Sequence, residues 1–229
     1  MHDFLSGLPE SVVEEFSRQS TQRTFAEGES VYRKGEPSEY VYRIGSGAIK
    51  LCNYSPDGDE IISGEFRQGD CFGEMGVIDG LPRVSHAIAS QPCKLQVLTK
   101  QKFQQLCKQY PQISHQINIV LCRRVRFLYS LNEEAVGLKL HQRLARVLQR
   151  LAYSHGEVER LGGVCITISH ENISKMLGAS RQSVSKELKQ LERDGDIELL
   201  YGKIRIVQLA RLTEKYETAI GIEQLTSVY

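Results

Sequence analysis

The sequence lacks both the apolar run of a membrane-spanning helix and the cysteine spacing of a zinc site. No stretch of about 18 consecutive apolar residues occurs, so no transmembrane helix is predicted. The six cysteines form no C-x-x-C pair, and no histidine stands at zinc-ligand spacing from them. Because the N-terminus shows no signal peptide, we expect a cytoplasmic protein whose cysteines are mostly free, buried thiols.

The sequence also lacks a recognisable catalytic constellation. It shows no nucleophile–base pair, no metal cluster and no phosphate-binding P-loop, and its histidines are scattered. An enzyme acting on a nucleotide is the alternative from another functional class, and these absences disfavour it. The apolar share of 41% and the charged share of 25% are typical of a globular protein.

The net charge of +1 hides an uneven distribution of charge along the chain. Residues 141–211 hold 12 Lys and Arg against 8 Asp and Glu, whereas residues 1–139 hold 16 against 17. Neutralising the phosphates of a nucleic acid requires such a basic region. The excess is small, so charge alone is weak support for a nucleic-acid partner.

Residues 168–193 predict two short helices that meet at a tight turn. Ser169 and Ser180 suit the N-caps of the two helices, and Gly178 suits the corner between them. In the second helix, Val184, Leu188 and Leu191 fall within an arc of about 60°. A different arc carries the long polar donors and a serine: Arg181, Gln182, Ser185, Lys186 and Lys189.

Two β-rich runs around Gly202 follow this helix pair and predict a hairpin, which would be the wing of a winged helix-turn-helix. Many helical hairpins carry serine caps and charged outer faces that only stay hydrated, so a purely structural role is the alternative. The wing favours a helix that enters a DNA major groove.

The N-terminal half predicts a β-rich domain with one insert. Residues 5–16 predict a short amphipathic helix, and the short β-runs between residues 22 and 98 predict an antiparallel barrel or jelly roll. Residues 72–85 (FGEMGVIDGLPRVS) form a turn-and-helix cassette between two β-runs. In it, Arg83 suits phosphate oxygens and Glu74 suits a sugar hydroxyl; an internal ion pair between these two residues is the alternative.

A helical pattern returns at residues 100–109, is interrupted at Pro111 and resumes at Gln112. Apolar residues then recur at heptad-like steps, although Arg124 interrupts them: Ile113, Ile117, Leu121, Leu128, Leu131 and Ala135. Such a stripe is first of all a core face, but a helix of about 25 residues between two domains is also a candidate for a parallel dimer contact. We therefore predict an effector-binding domain (1–111), a dimerisation helix (112–138) and a DNA-binding domain with a C-terminal tail (139–229).

In this order, the cassette, the long helix and the winged helix-turn-helix resemble the CRP/FNR family of bacterial transcription regulators. The resemblance extends from about Leu5 to Val207, and its strongest parts are F-G-E-M-G-x-x-x-G-x-P-R at 72–83 and L-G-x-S-R-Q-S-V-S-K at 177–186. It implies an α+β fold: an antiparallel β-barrel or jelly roll of the cyclic-nucleotide-binding type, a dimerisation helix and a winged helix-turn-helix. It also implies a homodimer that binds palindromic operator DNA, responds to a small effector and works with RNA polymerase.

The resemblance assigns Glu74 to a ribose hydroxyl and Arg83 to a cyclic phosphate, within a pocket that also includes Gly73, Met75, Val84 and Ser85. Val84 stands where Ser or Ala is common in nucleotide binders.

Leu128 and Tyr129 stand where hydroxyls would reach adenine, and of these two only Tyr129 can form a hydrogen bond with a base. Three alternatives therefore stay open for the barrel. It binds cyclic AMP, it binds another cyclic nucleotide, or it binds no nucleotide and serves as an interaction or other-signal-sensing module. No cysteine precedes Cys52, so the iron–sulfur cluster of the oxygen-sensing branch is not expected.

In the second helix, Arg181 and Lys186 match donors that reach bases or phosphates in the family, and Ser185 lies beside them. Gln182 replaces a common Glu, which predicts an altered half-site because Gln favours adenine whereas Glu accepts from cytosine. Ser169, Ser180 and Lys203 are predicted phosphate contacts, which position a protein without specifying sequence.

Overall fold

The computed structural model describes residues 3–159 and 162–217, apart from the side chain of His155. The chain forms two compact units, the first ending at Arg124 and the second beginning at Val125. The long helix crosses this boundary, and residues 218–229 of the predicted C-terminal domain lie outside the described residues.

Two antiparallel four-stranded sheets form the first unit, in the orders β1-β8-β3-β6 and β2-β7-β4-β5. This is the jelly-roll form of the predicted fold rather than a single closed barrel. The strands are β1 (Thr21–Phe25), β2 (Ser30–Tyr32), β3 (Tyr40–Ser46), β4 (Ala48–Tyr54), β5 (Glu60–Arg67), β6 (Cys71–Phe72), β7 (His86–Ala89) and β8 (Cys93–Thr99).

Four helices accompany these strands in the described residues: α1 (Glu10–Gln19), α2 (Glu74–Asp79), α3 (Lys100–Gln109) and α4 (Pro111–Gly137). Thr99 caps α3 by accepting a hydrogen bond from the backbone N–H of Lys102. Pro111 begins α4, because the first position of a helix needs no N–H donor and suits the fixed φ of proline. The predicted break at Pro111 is therefore a junction between two helices.

The first turns of α4 belong to the core of the first unit. Ile113, Ile117 and Val120 are buried in one cluster with Phe4, Phe16, Phe103 and other apolar side chains. At Ile113 and Ile117 the stripe is therefore a core face, which is the first of its two predicted roles. These residues recur on one side of α4 and pack with side chains of α1 and α3, and burying them there removes them from water.

The second unit contains the predicted winged helix-turn-helix. Its helices are α5 (Leu140–His155), α6 (His170–Leu177), α7 (Arg181–Arg193) and α8 (Leu209–Glu217), and its strands are β9 (Glu157–Val158), β10 (Val164–Thr167), β11 (Ile197–Leu200) and β12 (Lys203–Ile206). The sheet order is β11-β12-β10-β9, all antiparallel. Gly178, with φ of 59°, adopts the left-handed conformation that ends α6 and allows the tight turn into α7.

One apolar core holds these elements together. Val184, Leu188 and Leu191 of α7 are fully buried, as the arc along the helix predicted, and they pack with residues of α5, α6 and the sheet. The C-terminal helix α8 contributes Leu212 and Tyr216 to the same core. The position of α7 is therefore fixed by its apolar face, and its opposite face is left for another role.

Candidate functional site

The second residue of the predicted cassette is a glycine that no other residue could replace without movement of its neighbours. Gly73 has φ of 85° and joins β6 to α2. A Cβ at this position would lie 2.9 Å from Arg83 Nη1 and 3.1 Å from the carbonyl oxygen of Tyr40. Gly73 therefore lets the cassette backbone approach Arg83 closely.

Arg83 is buried, with 6% of its surface exposed. Its Nη1 donates to the carbonyl oxygen of Gly73 and its Nη2 donates to that of Tyr40, each at 2.6 Å. The guanidinium also lies 4.3 Å from the centre of the Tyr32 ring, within cation–π range. Burial raises the pKa of the Tyr32 hydroxyl, so this ring stays a neutral phenol beside the cation.

Glu74 is more deeply buried, at 1% exposure, and its Oε1 accepts a hydrogen bond from Nη1 of Arg124 on α4. The alternative ion pair between Glu74 and Arg83 does not form among the described residues. Sequence reasoning treated Arg124 only as an interruption of an apolar stripe. A cation at a core-facing position of a helix was the available signal, since a buried charge requires a partner.

The cassette retains hydrogen-bonding capacity for a ligand. In the described part of the chain, Oε2 of Glu74 and Nε of Arg83 are buried without hydrogen-bond partners. The carboxylate oxygen could accept from a ribose hydroxyl, and the guanidinium could share its donors with a phosphate. These residues therefore fit a cyclic nucleotide, although the two Nη atoms of Arg83 already donate to carbonyls.

The other predicted effector residues differ in exposure. Ser85 is buried, whereas Met75 and Val84 lie at the surface of the cassette, 43% and 61% exposed. Tyr129 belongs to the second unit and is 66% exposed. The structure thus brings together Gly73, Glu74 and Arg83 within the first unit.

The outer face of α7 forms an open groove in the second unit. The groove is lined by Arg181, Gln182, Ser185, Lys186 and Lys189. All five are the residues that the sequence placed on a different arc from the buried one. Four of them are exposed and can extend long donors outward, whereas Ser185 is half-buried.

The predicted phosphate contacts lie at element ends. Ser169 and Ser180 are the N-caps of α6 and α7, and their hydroxyl oxygens accept from the backbone N–H groups of Asn172 and Ser183, each at 3.1 Å. The hydroxyl of Ser169 keeps a hydrogen to donate, whereas that of Ser180 also lies 2.9 Å from Oγ of Ser183, and either of these two hydroxyls could be the donor. Lys203 is exposed at the start of β12, beside the wing turn.

Two histidines contact side chains of α7, although in the sequence the histidines are only scattered. Nδ1 of His170 lies 3.1 Å from Oγ of Ser185. His141 lies between Glu187 and Tyr216, 3.1 Å from the carboxylate and 2.8 Å from the phenol. No spacing in the sequence signals these contacts, because each joins side chains of two different helices and depends on how those helices pack.

The described residues bear on three further features of the sequence: metal ligands, membrane-spanning helices and the cysteines. Those residues contain no group of three or more His, Cys, Asp or Glu that could hold a metal ion. No described helix has the length and apolar character needed to cross a membrane. All six cysteines are free; four are buried, Cys107 is partly exposed and Cys122 is exposed.

Two family models match this sequence. A cyclic nucleotide-binding domain matches residues 22–110, and a Crp-like helix-turn-helix domain matches residues 142–215. The cAMP-activated global transcriptional regulator CRP of Pasteurella multocida is 30% identical over 174 residues, which cover 76% of this chain and 83% of that protein. A CRP-like cAMP-activated global transcriptional regulator of Mycobacterium tuberculosis is 28% identical over 211 residues, covering 91% and 94%.

Solved structures show the same likeness. A CRP-family transcriptional regulator from Thermus thermophilus matches with a TM-score of 0.71 and 28% identity, covering 88% of this chain and 98% of that one. The c-di-GMP-responsive global regulator CLP of Xanthomonas campestris matches with a TM-score of 0.76 and 23% identity, covering 86% and 99%. The latter likeness concerns the fold.

The pairing of Glu74 with Arg124 predicts a stability effect. Replacing Arg124 by Met leaves a buried carboxylate without its cation, so we expect the free energy of unfolding to fall by about 3–5 kcal/mol in urea titrations. Adding Glu74→Gln should recover part of this loss. The matched control is Arg123→Met, an exposed neighbour on α4, which should change stability by no more than about 0.5 kcal/mol. If Arg124→Met and Arg123→Met lower the free energy of unfolding by equal amounts, the pairing of Glu74 with Arg124 is contradicted.

Proposed function

Because the chain belongs to the CRP/FNR family of bacterial transcription regulators, we propose that it is a homodimeric, cytoplasmic regulator that binds palindromic operator DNA under the control of a small effector. The observation that carries this proposal is the division of α7 into a buried apolar face and an outer face of donors. A dimer presents two such helices to successive major grooves about 34 Å apart. RNA polymerase is the proposed further partner.

The donors of α7 divide between bases and phosphates. Arg181 can place two N–H groups on O6 and N7 of guanine, and Gln182 can pair with adenine in the same way. Lys186 reaches a base or a phosphate. Ser169, Ser180 and Lys203 contact phosphates and so fix the register of the protein on the duplex.

The proposed effector is a cyclic nucleotide held by Glu74 and Arg83. The relatives from Pasteurella multocida and Mycobacterium tuberculosis are described as cAMP-activated, which supports this class of ligand. Glu74 also bonds to Arg124 on α4, so a ligand that engages this carboxylate would act on the helix that carries the dimer contact. Its effect can be no larger than its difference in affinity between the two states of the dimer.

A barrel that binds no nucleotide is the second candidate. It is favoured by the internal contacts of the pocket, because the Nη atoms of Arg83 donate to two carbonyls and Glu74 is paired with Arg124. In this alternative the first unit is an interaction module or senses another signal, and the DNA-binding role is unchanged.

Calorimetric titration with cyclic AMP and with cyclic GMP separates the two candidates. We expect saturable heat with one of them, and we expect Arg83→Ala to abolish it because the phosphate loses its guanidinium partner. Ile78→Ala, at an exposed position of α2 outside the predicted pocket residues, serves as a control for general disturbance. Heat that persists in Arg83→Ala would place the ligand in a different pocket, and no heat with either nucleotide would favour the second candidate.

Selection of bound duplexes from a random pool, with and without the nucleotide, tests the DNA-binding role. We expect a two-fold symmetric site, and we expect Arg181→Ala to cost about 1–3 kcal/mol at one base pair of each half-site. Fluorescence anisotropy with duplexes varied at each position measures this cost. If the variant binds all sequences more weakly by the same factor, the base-contacting role of Arg181 is wrong.

The exposed side of α4 provides a test of dimerisation. Cys122, Val125, Tyr129 and Val136 are exposed and recur at steps of three, four and seven residues, which is the spacing of a two-helix seam. In a parallel pair, Cys122 faces its copy across the two-fold axis. We expect mild oxidation to yield a covalent dimer that Cys122→Ser prevents and Cys107→Ser does not. A protein that sediments as a monomer at micromolar concentration would contradict the dimer.

A further inference from the structure

His170 is the first residue of α6 and makes its hydrogen bond with the neighbouring helix α7. Its Nδ1 lies 3.1 Å from Oγ of Ser185. Ser185 in turn lines the groove on the outer face of α7, together with Arg181 and Gln182. The imidazole therefore contacts a residue that lines the groove proposed to face the DNA.

The direction of this hydrogen bond depends on the protonation of the ring. When His170 is neutral and carries its proton on Nε2, Nδ1 accepts the hydroxyl hydrogen of Ser185, and the serine oxygen offers only lone pairs to the groove. When His170 is a cation, Nδ1–H donates to the same oxygen. The hydroxyl hydrogen of Ser185 is then free to turn toward the groove.

The charges around His170 favour the neutral ring in the free protein. Burial lowers the pKa of His170, and the positive charge of Arg181 on α7 lowers it further. On its own helix, Glu171 is paired with Lys175, and Arg143 of α5 bonds to the carbonyl of Leu177 at the opposite end of α6. DNA phosphates would raise the pKa of His170, because negative charge stabilises the imidazolium.

We propose that His170 is a positioning residue that makes the base preference of Ser185 depend on pH. The proposal rests on the proposed binding of DNA by α7. At pH values at which His170 is neutral, Ser185 accepts hydrogen bonds from the amino groups of adenine or cytosine. At lower pH values, at which His170 is a cation, Ser185 donates to O6 or N7 of guanine or to O4 of thymine.

Duplex selection with the full-length protein at about pH 8 and at about pH 5 tests this proposal. The lower value lies well below the ordinary pKa of histidine, of about 6.5, which leaves room for the lowered pKa of His170. We expect the preferred base at one position of each half-site to change from an amino-bearing base to an acceptor base. Anisotropy with the two selected duplexes should show their affinity ratio shifting by about fivefold per half-site, the effect of one hydrogen bond.

Two variants assign the shift to the proposed pair. His170→Gln cannot titrate, so its base preference should be the same at both pH values. Ser185→Ala lacks the hydroxyl and should also lose the change in preference. A change that persists in His170→Gln would belong to another histidine, such as His141 beside Glu187, and would overturn the proposal.

The wild-type protein alone separates this proposal from the proposed function. If it binds a selected duplex at both pH values with one unchanged preference, the role of His170 is refuted and the DNA-binding role stands. If it binds no duplex from the pool at either pH, the DNA-binding role is refuted and the role of His170 with it. Far-UV circular dichroism of the variants at both pH values excludes unfolding as the cause of any loss.

Discussion

The burial of one face of α7 is the constraint on which the proposed function depends. Val184, Leu188 and Leu191 are removed from water among side chains of α5, α6 and the sheet, and this burial orients the whole helix. Arg181, Gln182 and Lys186 then have to point outward. A helix with a single apolar arc can be placed in only one rotational orientation, so the same residues that stabilise the unit also present its donors.

A second constraint acts in the first unit, where charged groups lie in a nearly dry cassette. Burying an ion is costly unless it is paired and hydrogen-bonded. Arg83 meets part of this requirement with two carbonyls and an aromatic ring, and Glu74 meets part of it with Arg124, while Nε of Arg83 and Oε2 of Glu74 keep no hydrogen-bond partner in the described residues. The contacts that make the cassette stable are also contacts that a ligand must share or displace, which connects ligand binding to α4.

Much of the fold could be predicted from the sequence. Turn residues between short β-runs predicted the jelly roll, and the helix-turn-helix was predicted from Ser169, Gly178, Ser180 and the apolar arc of α7. The apolar stripe of α4 left two roles open, a core face or a dimer contact, because such a stripe indicates burial without naming its partner. Ile113 and Ile117 pack into the core of the first unit, and a different side of α4 carries the exposed residues Val125 and Tyr129.

The sequence by itself determined the elements and the side chains that share a face, because helical period, caps and turns are local properties of neighbouring residues. It also determined which residue types were available for the cassette and the groove. Only the tertiary structure decided the partners: Arg124 for Glu74, the carbonyl of Tyr40 for Arg83, and Ser185 for His170. Each of these contacts joins residues at least 15 positions apart in the chain, and the packing of whole elements, rather than any local spacing, brings them within hydrogen-bond distance.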